Sequence, residues 1–322
     1  MRVFVTGGNG FIGSVVVRDL VSAGHRVVCL LRRGSRRERI SDLPFETVDG
    51  DVRDIASFRA AMQACDAGIH LAAPGGWSHD DSSALHDVIE GGTRNLLSIA
   101  EERPGLRLVI VSSTAAVNAS EEPRLFDEAA PFTVSDPGLD YAIAKHRAEL
   151  AALAACQRGA DVVIVNPAEV YGPNDTTLGT AGNIVEFATG WPVLVCDGGT
   201  GVVHVDDVAA GIIRALDHGR RGERYILSGE NLTVRELATL VLELLGRRAP
   251  IATVPKALAR AIARLAERLH IPVPFNPSVV PYATRYWFVD STKARRELGV
   301  SFRDARTTVR STLDWLRAQR LV

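Results

Sequence analysis

Along the first half of the chain, apolar residues come in short unbroken runs, each followed by a turn and then by residues at helical spacing. The runs are Arg2–Thr6, Val27–Leu31, Phe45–Val48, Ala67–Ala73, Leu108–Val111 and Val162–Val165. A run without polar alternation suits a strand covered on both faces, as in a parallel sheet. Helices are predicted between them at Ser14–Ala23, where Val15, Val16, Leu20 and Val21 share a face and Gly24 ends the segment, at Ile55–Ala64, at Leu85–Glu101, and after Pro137. After Pro173 the alternation breaks down. Strand-like Pro192–Val195, Val202–Val205 and Arg224–Leu227 mix with helices at 206–216, 234–245, 256–269, 292–298 and 307–320. The pattern predicts an α/β fold: a doubly wound parallel sheet from residues 1–173, with later sheet contributions from about 200–228, and a small, mostly helical C-terminal cap within 174–322.

The turn after the first run is the most informative stretch. Gly7, Gly10 and Gly13 recur at three-residue spacing between a strand and a helix. Gly7 permits the tight turn, Gly10 lets a phosphate approach the backbone, and Gly13 lets the helix lie close on the strand. Such a turn aims backbone N–H groups at one spot, which suits a pyrophosphate. The end of the second strand then faces the adenosine ribose. It carries Arg32 and Arg33, with Arg36 and Arg37 close behind, where an acidic residue would bind a free 2′-hydroxyl. Arginine suits a 2′-phosphate, so NADP(H) is the expected cofactor, with NAD(H) as the alternative. Asp51 lies where the adenine belongs, and Leu71, Ala72 and Ala73 form a small-residue turn that lets the cofactor pass. His70 reads as a core residue at a strand end. Ser112, Ser113 and Thr114 end the fifth strand, at the edge where open sheets bind ligands. Tyr141 and Lys145 stand four apart on the next helix and share a face.

Composition narrows the function. The chain has 322 residues and a formal net charge of −1, which gives no reason to expect nucleic acid as a partner. No run approaches a membrane span, and with a first strand at residue 2 no signal peptide is expected. Cys29, Cys65, Cys156 and Cys196 are far apart and indicate neither a disulfide framework nor a metal site. A cytoplasmic protein with a small-molecule substrate is the expectation. Only three lysines occur, Lys145, Lys256 and Lys293, so the Lys145 position keeps lysine in a chain that otherwise chooses arginine.

These residues resemble the extended short-chain dehydrogenase/reductases, the NAD-dependent epimerase/dehydratase group. The matches are Thr6–Gly13, Gly50-Asp51-Val52, Leu71-Ala72-Ala73, Ser112-Ser113-Thr114, Tyr141 with Lys145, Pro167 with Val170–Pro173, His204–Ala209, Gly222–Leu227 and Phe288–Ala294. The resemblance implies a Rossmann-type sheet with a substrate-binding cap, and a homodimer as the expected assembly. It implies cofactor contacts from Phe11, Ile12, Val52, Ser112, Asn166, Pro167 and Val170 beside the glycines, Arg32 and Asp51. It also implies a triad. Tyr141 is the general acid or base, Lys145 lowers its pKa and holds the ribose, and Thr114 bonds the substrate oxygen, with Ser113 as a further substrate contact. Asn118-Ala119 replaces the Tyr-Gly common in sugar-nucleotide epimerases, Asn166 replaces an arginine, and Val88–Thr93 lacks their asparagine. These departures resemble the dihydroflavonol-reductase and hydroxysteroid-dehydrogenase branch. The expected activity is therefore an NADP(H)-dependent carbonyl reductase or alcohol dehydrogenase, with Trp77, Asn118, Trp191, Tyr286 and Trp287 at the substrate pocket. Two other readings stay open: a nucleotide-sugar epimerase or dehydratase with tightly bound NAD, where Arg285 would meet a diphosphate, and a non-catalytic NADP-binding sensor.

Overall fold

The computed structural model describes residues 1–74, 85–136, 138–269 and 277–322. Pro137 and the loop position Trp77 lie outside them. The strands are β1 (Arg2–Thr6), β2 (Arg26–Leu31), β3 (Glu46–Asp49), β4 (Ala67–His70), β5 (Arg107–Val111), β6 (Asp161–Pro167), β7 (Glu169–Tyr171), β8 (Val193–Cys196), β9 (Gly199–His204), β10 (Arg224–Leu227), β11 (Glu230–Thr233), β12 (Ile251–Val254) and β13 (Tyr286–Trp287). Seven of them form one parallel sheet in the order β10-β6-β5-β4-β1-β2-β3. The apolar runs are buried on both sides because helices cover both faces. Helix α1 (Phe11–Ser22) packs with Val205–His218 on one face. On the other lie α2 (Arg59–Gln63), α3 (Gly92–Glu102) and α4 (Asp140–Gln157).

Two predicted helices differ in detail. The segment 55–64 divides into a 3₁₀ turn at Ile55–Ser57 and α2. Phe58 leaves the helical path between them to stack on Phe4, ring centroids 5.8 Å apart, so core packing overrides local propensity. The helix expected at 85–101 contains a π-helical turn at Asp87–Gly91 before α3 begins. Gly92 there lies against Val52, so the helix approaches the end of β3 closely.

The C-terminal part contains the predicted helices, joined by two small sheets. One is built on β9, flanked by β11, β7 and β13; the other pairs β8 with β12. Helices α5 (Ala181–Thr189), α6 (Val205–His218), α7 (Val234–Leu245), α8 (Lys256–Leu269), α9 (Val280–Ala283), α10 (Thr292–Leu298) and α11 (Ala305–Ala318) complete the chain. A separate apolar core joins α5, α7 and α11 to Tyr171, Val193 and Val195.

The close approach of α1 to β1 gives a stability test. A Cβ on Gly13 would stand 2.0 Å from the Gly7 carbonyl oxygen, whereas one on Gly91 would meet nothing within 4 Å. Gly13→Ala should lower stability by about 1–3 kcal/mol or more. Gly91→Ala should be neutral or slightly stabilising. Thermal unfolding of the two variants checks this, and equal midpoints would refute the packing.

Candidate active site

The strand order creates the crevice. From β1 the chain builds outward through β2 and β3, then returns to β4 on the other side, so the carboxyl ends of β1 and β4 diverge. Thr6 and His70 face each other there. Thr6 Oγ1 lies 2.7 Å from His70 Nδ1 and accepts from the Ala72 N–H at 3.2 Å. Burial, and then the Lys145 charge, push His70 down to about 3, so it stays neutral and serves the strand junction. Gly7 adopts φ +71°, and its carbonyl accepts from the Gly10 N–H at 3.0 Å. Helix α1 starts at Phe11 with no side-chain cap on its first N–H groups, next to the end of β1. Phe11 and Ile12 are half-buried against the core beneath it.

Arginines gather after β2 and β3. Arg32 is exposed at the end of β2, and its charge acts on Asp51. Arg53 clasps the Asp51 carboxylate with bonds of 2.9 and 3.0 Å and holds it below the usual carboxylate range. The Val52 carbonyl is held by Asn95 Nδ2 at 2.8 Å. Arg39, which pattern reading passed over, ties this segment to the far side of the crevice. Its guanidinium donates to the Asn9 and Asn174 carbonyls at 3.3 and 2.9 Å and to Thr176 Oγ1 at 2.5 Å.

Helix α4 carries Tyr141, Lys145 and Glu149 at four-residue spacing on one face. Lys145 is buried, donates to the Val111 carbonyl at 2.9 Å, and lies 5.8 Å from the centre of the Tyr141 ring. Burial pushes its ammonium down to about 8, while the charge of Glu149 acts in the opposite direction. Burial also raises the Tyr141 phenol, and a hydrogen bond with the Ser113 side chain offsets part of that. Ser113, in extended backbone, caps a 3₁₀ turn over Thr114–Ala116 and accepts from the Ala115 N–H at 3.2 Å. The hydroxyl that meets the phenol is thus the capping one, and Thr114 is buried one residue further on, inside the turn.

Glu149 was missed by sequence reading, although it extends the four-residue series from Tyr141 and Lys145. It is 1% exposed, accepts from Asn166 Nδ2 at 2.5 Å and pairs with Arg224 at 3.0 Å. Burial raises its pKa, and the Arg224 charge opposes that. The Ser112 side chain lies beside the same carboxylate. Asn166 also donates to the Ser113 carbonyl at 2.9 Å, so one carboxylate ties β5, β6 and α4 together beneath the phenol. Pro167 ends β6, and Val170 follows in β7, both buried.

An apolar wall flanks Tyr141. Ala115, Val134, Leu139, Ala142, Tyr282 and Trp287 form one buried cluster, with Phe132, Ala119 and Tyr141 against it. Strand alternation decides which aromatic of β13 joins it. Trp287 packs in, while Tyr286 takes the opposite side, stacks under Lys256 and donates to Asp197 at 2.5 Å. Asn118 spends its amide on the Pro131 carbonyl and accepts from Thr133 and the Ala119 N–H. Trp191 is 69% exposed ahead of β8, and is not part of the cluster around Tyr141. Arg285 is buried, bonded to Asp136 at 2.7 Å and to the Pro281 carbonyl, with Glu121 at 3.5 Å.

The residues present fit a dinucleotide. The Gly7–Gly13 turn is a cradle that a Cβ at Gly7 would fill, coming within 2.8 Å of the Leu71–Ala72 backbone. At the other end, Asn166 Oδ1 is buried with no hydrogen-bond partner among the described residues, an acceptor left for a bound group.

Comparison with known proteins agrees with this architecture. The family model described as "NAD dependent epimerase/dehydratase family" matches residues 3–228. A Synechocystis sp. protein with a provisional dihydroflavonol 4-reductase name is 33% identical over 98% of this chain and 94% of its own. Sterol demethylase protein B of Methylococcus capsulatus is 33% identical over the full length of both. A Stigmatella aurantiaca ketoreductase, named for a farnesylated dihydroquinoline oxide, is 31% identical over 98% of this chain and 96% of its own. The crystal structure of gox2253 superposes with a TM-score of 0.85 at 31% identity, covering 99% of this chain and 98% of that one.

With three lysines in the chain, titration can be read residue by residue. In protein labelled at lysine Cε, one resonance should titrate near pH 8 in the cofactor-free state and vanish in Lys145→Arg. Glu149→Gln removes a negative charge beside the ammonium and should move that midpoint lower. The pair Glu149→Gln/Arg224→Gln, which leaves no unpaired guanidinium, provides the check against misfolding. Three midpoints all above 10 would refute the buried placement.

Proposed function

Because the chain belongs to the NAD-dependent epimerase/dehydratase family of extended short-chain dehydrogenase/reductases, we propose that it is an NADP(H)-dependent carbonyl reductase, or the reverse alcohol dehydrogenase, acting on an apolar ketone or aldehyde. The surroundings of Tyr141 carry this reading. A phenol bonded to Ser113, with a buried ammonium beside it, faces an aromatic and aliphatic wall. Arg285, the cation a diphosphate substrate would need, is already engaged by Asp136 and Glu121. Relatives named for a sterol and for a farnesylated ketone support an apolar substrate.

Bound NADPH supplies the hydride that reduces the carbonyl carbon. In this reading the Gly7–Gly13 turn and the start of α1 hold its pyrophosphate, Arg32 its 2′-phosphate, and Lys145 its ribose. Tyr141 donates a proton to the carbonyl oxygen as the alcohol forms. Burial keeps the phenol protonated until then, and the Lys145 charge stabilises the phenolate left behind. Ser113 orients the phenol, with Thr114 beside it as the further candidate for the substrate oxygen. The apolar wall excludes water from the reacting carbonyl.

Two experiments test the assignment. Tyr141→Phe should lower turnover at least about 100-fold while NADPH still binds, and Ser113→Ala should cost more turnover than Thr114→Ala. Steady-state rates with a panel of apolar ketones check both, and retained activity in Tyr141→Phe would overturn the mechanism. Arg32→Ala should weaken NADPH binding roughly 10- to 100-fold and NADH binding little. Fluorescence titration checks this, together with identification of any nucleotide retained through purification. Tightly held NAD(H), or equal losses for both cofactors, would favour the epimerase or dehydratase reading.

A further inference from the structure

Helix α8 sits on the protein by its smallest residues and leaves its largest in solvent. Ala259, Ala263 and Ala266 are each 4% exposed, and the first two pack with Val280 against Cys196 and Val254. Leu258, Ile262, Leu265 and Leu269 are 52%, 36%, 54% and 55% exposed. Their spacing of four, three and four places them in a single stripe. A helix that served only to close the core would bury that stripe. Two more large apolar side chains are exposed on or just before the strand whose Cys196 packs under α8. Strand alternation puts Leu194, 50% exposed, on the same face of β8 as Cys196, which α8 covers, and Trp191 stands 69% exposed just before it. Six of the ten exposed large apolar side chains among the described residues therefore fall between Trp191 and Leu269. Such clustering marks a contact surface rather than ordinary scatter.

Charge identifies the partner. Lys256 and Arg260, on the inner edge of α8, are committed to the protein. Lys256 lies 3.6 Å from Asp197, and Arg260 bonds Glu121 at 2.9 and 3.1 Å and Thr284 at 2.9 Å. Arg264 and Arg268 are exposed on the outer side, and Arg248 is exposed just ahead of β12. Lipid phosphates would neutralise them, and a tryptophan at the margin suits the boundary between headgroups and acyl chains. No helix among the described residues is long and apolar enough to cross a membrane, so contact would lie in the interface plane.

We propose that α8, with Trp191 and Leu194, docks this protein on the surface of a bilayer containing anionic lipid. Leu258, Ile262, Leu265 and Leu269 enter the acyl boundary, and Arg264 and Arg268 meet phosphate. Helix α8 leans on the short helix α9, whose Tyr282 packs in the wall beside Tyr141, so the docked face is one helix away from the candidate pocket. Docking does not depend on the reductase reading, because its readout is binding and not turnover.

The test is co-sedimentation of the full chain with sucrose-loaded vesicles, either pure phosphatidylcholine or phosphatidylcholine with phosphatidylglycerol. Preferential binding to the phosphatidylglycerol vesicles, weakened by salt, is expected. Leu258→Ser/Leu265→Ser should reduce the bound fraction at least about tenfold, and Arg264→Gln/Arg268→Gln should abolish the preference for phosphatidylglycerol. Both variants should keep the circular dichroism and NADPH affinity of the parent. Failure of the parent to bind either vesicle, or binding unchanged by the leucine substitutions, would overturn the proposal. So would a dimer, seen by analytical ultracentrifugation, that the leucine substitutions dissociate without any loss of vesicle binding.

Discussion

The site depends on one buried cation. Taking the Lys145 ammonium out of water is unfavourable, and the fold around it supplies what offsets the loss. The Val111 carbonyl accepts one hydrogen bond from it at the end of β5, and Glu149 supplies opposite charge one helical turn further along. His70 is kept neutral nearby, which avoids a second positive charge at the same point. Helix α4 must therefore lie across the carboxyl ends of β5 and β6 in one register, and that register is what brings the phenol to Ser113.

The same arrangement explains why the remaining charges sit where they do. Glu149 is itself buried, so it needs Arg224 from β10 and the Asn166 amide from β6. Arg224 in turn donates to the Glu128 carbonyl, and the Glu128 carboxylate accepts from the Ile226 N–H at 2.9 Å. A line of polar contacts thus runs from the candidate catalytic helix to the edge strand of the sheet. Breaking any member leaves another buried and unpaired, which makes the network a determinant of geometry more than of net stability.

The cap contributes shape. Its aromatic residues meet Tyr141 through two short elements, α9 and β13, and the rest of the cap has its own core. This division keeps the packing of most of the cap separate from the packing around Tyr141. The exposed stripe of α8 belongs to the same half of the molecule, next to the short helix α9 that carries Tyr282.

Local physics was enough to read much of this in the sequence. Unbroken apolar runs mean strands covered on both faces, three-residue glycine spacing means a tight turn with the helix close on the strand, and four-residue spacing puts Tyr141 and Lys145 on one face. Each depends only on periodicity or on the absence of a Cβ. The tertiary structure alone decided the rest. Whether Ser113 or Thr114 meets the phenol depends on which residue caps a 3₁₀ turn, and whether Tyr286 or Trp287 faces the pocket depends on the register of a two-residue strand. Arg285 looked available for a ligand until its contacts with Asp136 and Glu121 came into view, and Trp191 looked like a pocket wall until its exposure did. The network beneath the phenol is set by partners more than 50 residues apart, Glu149 with Arg224 and Asn166 with Ser113, and no local pattern encodes those distances.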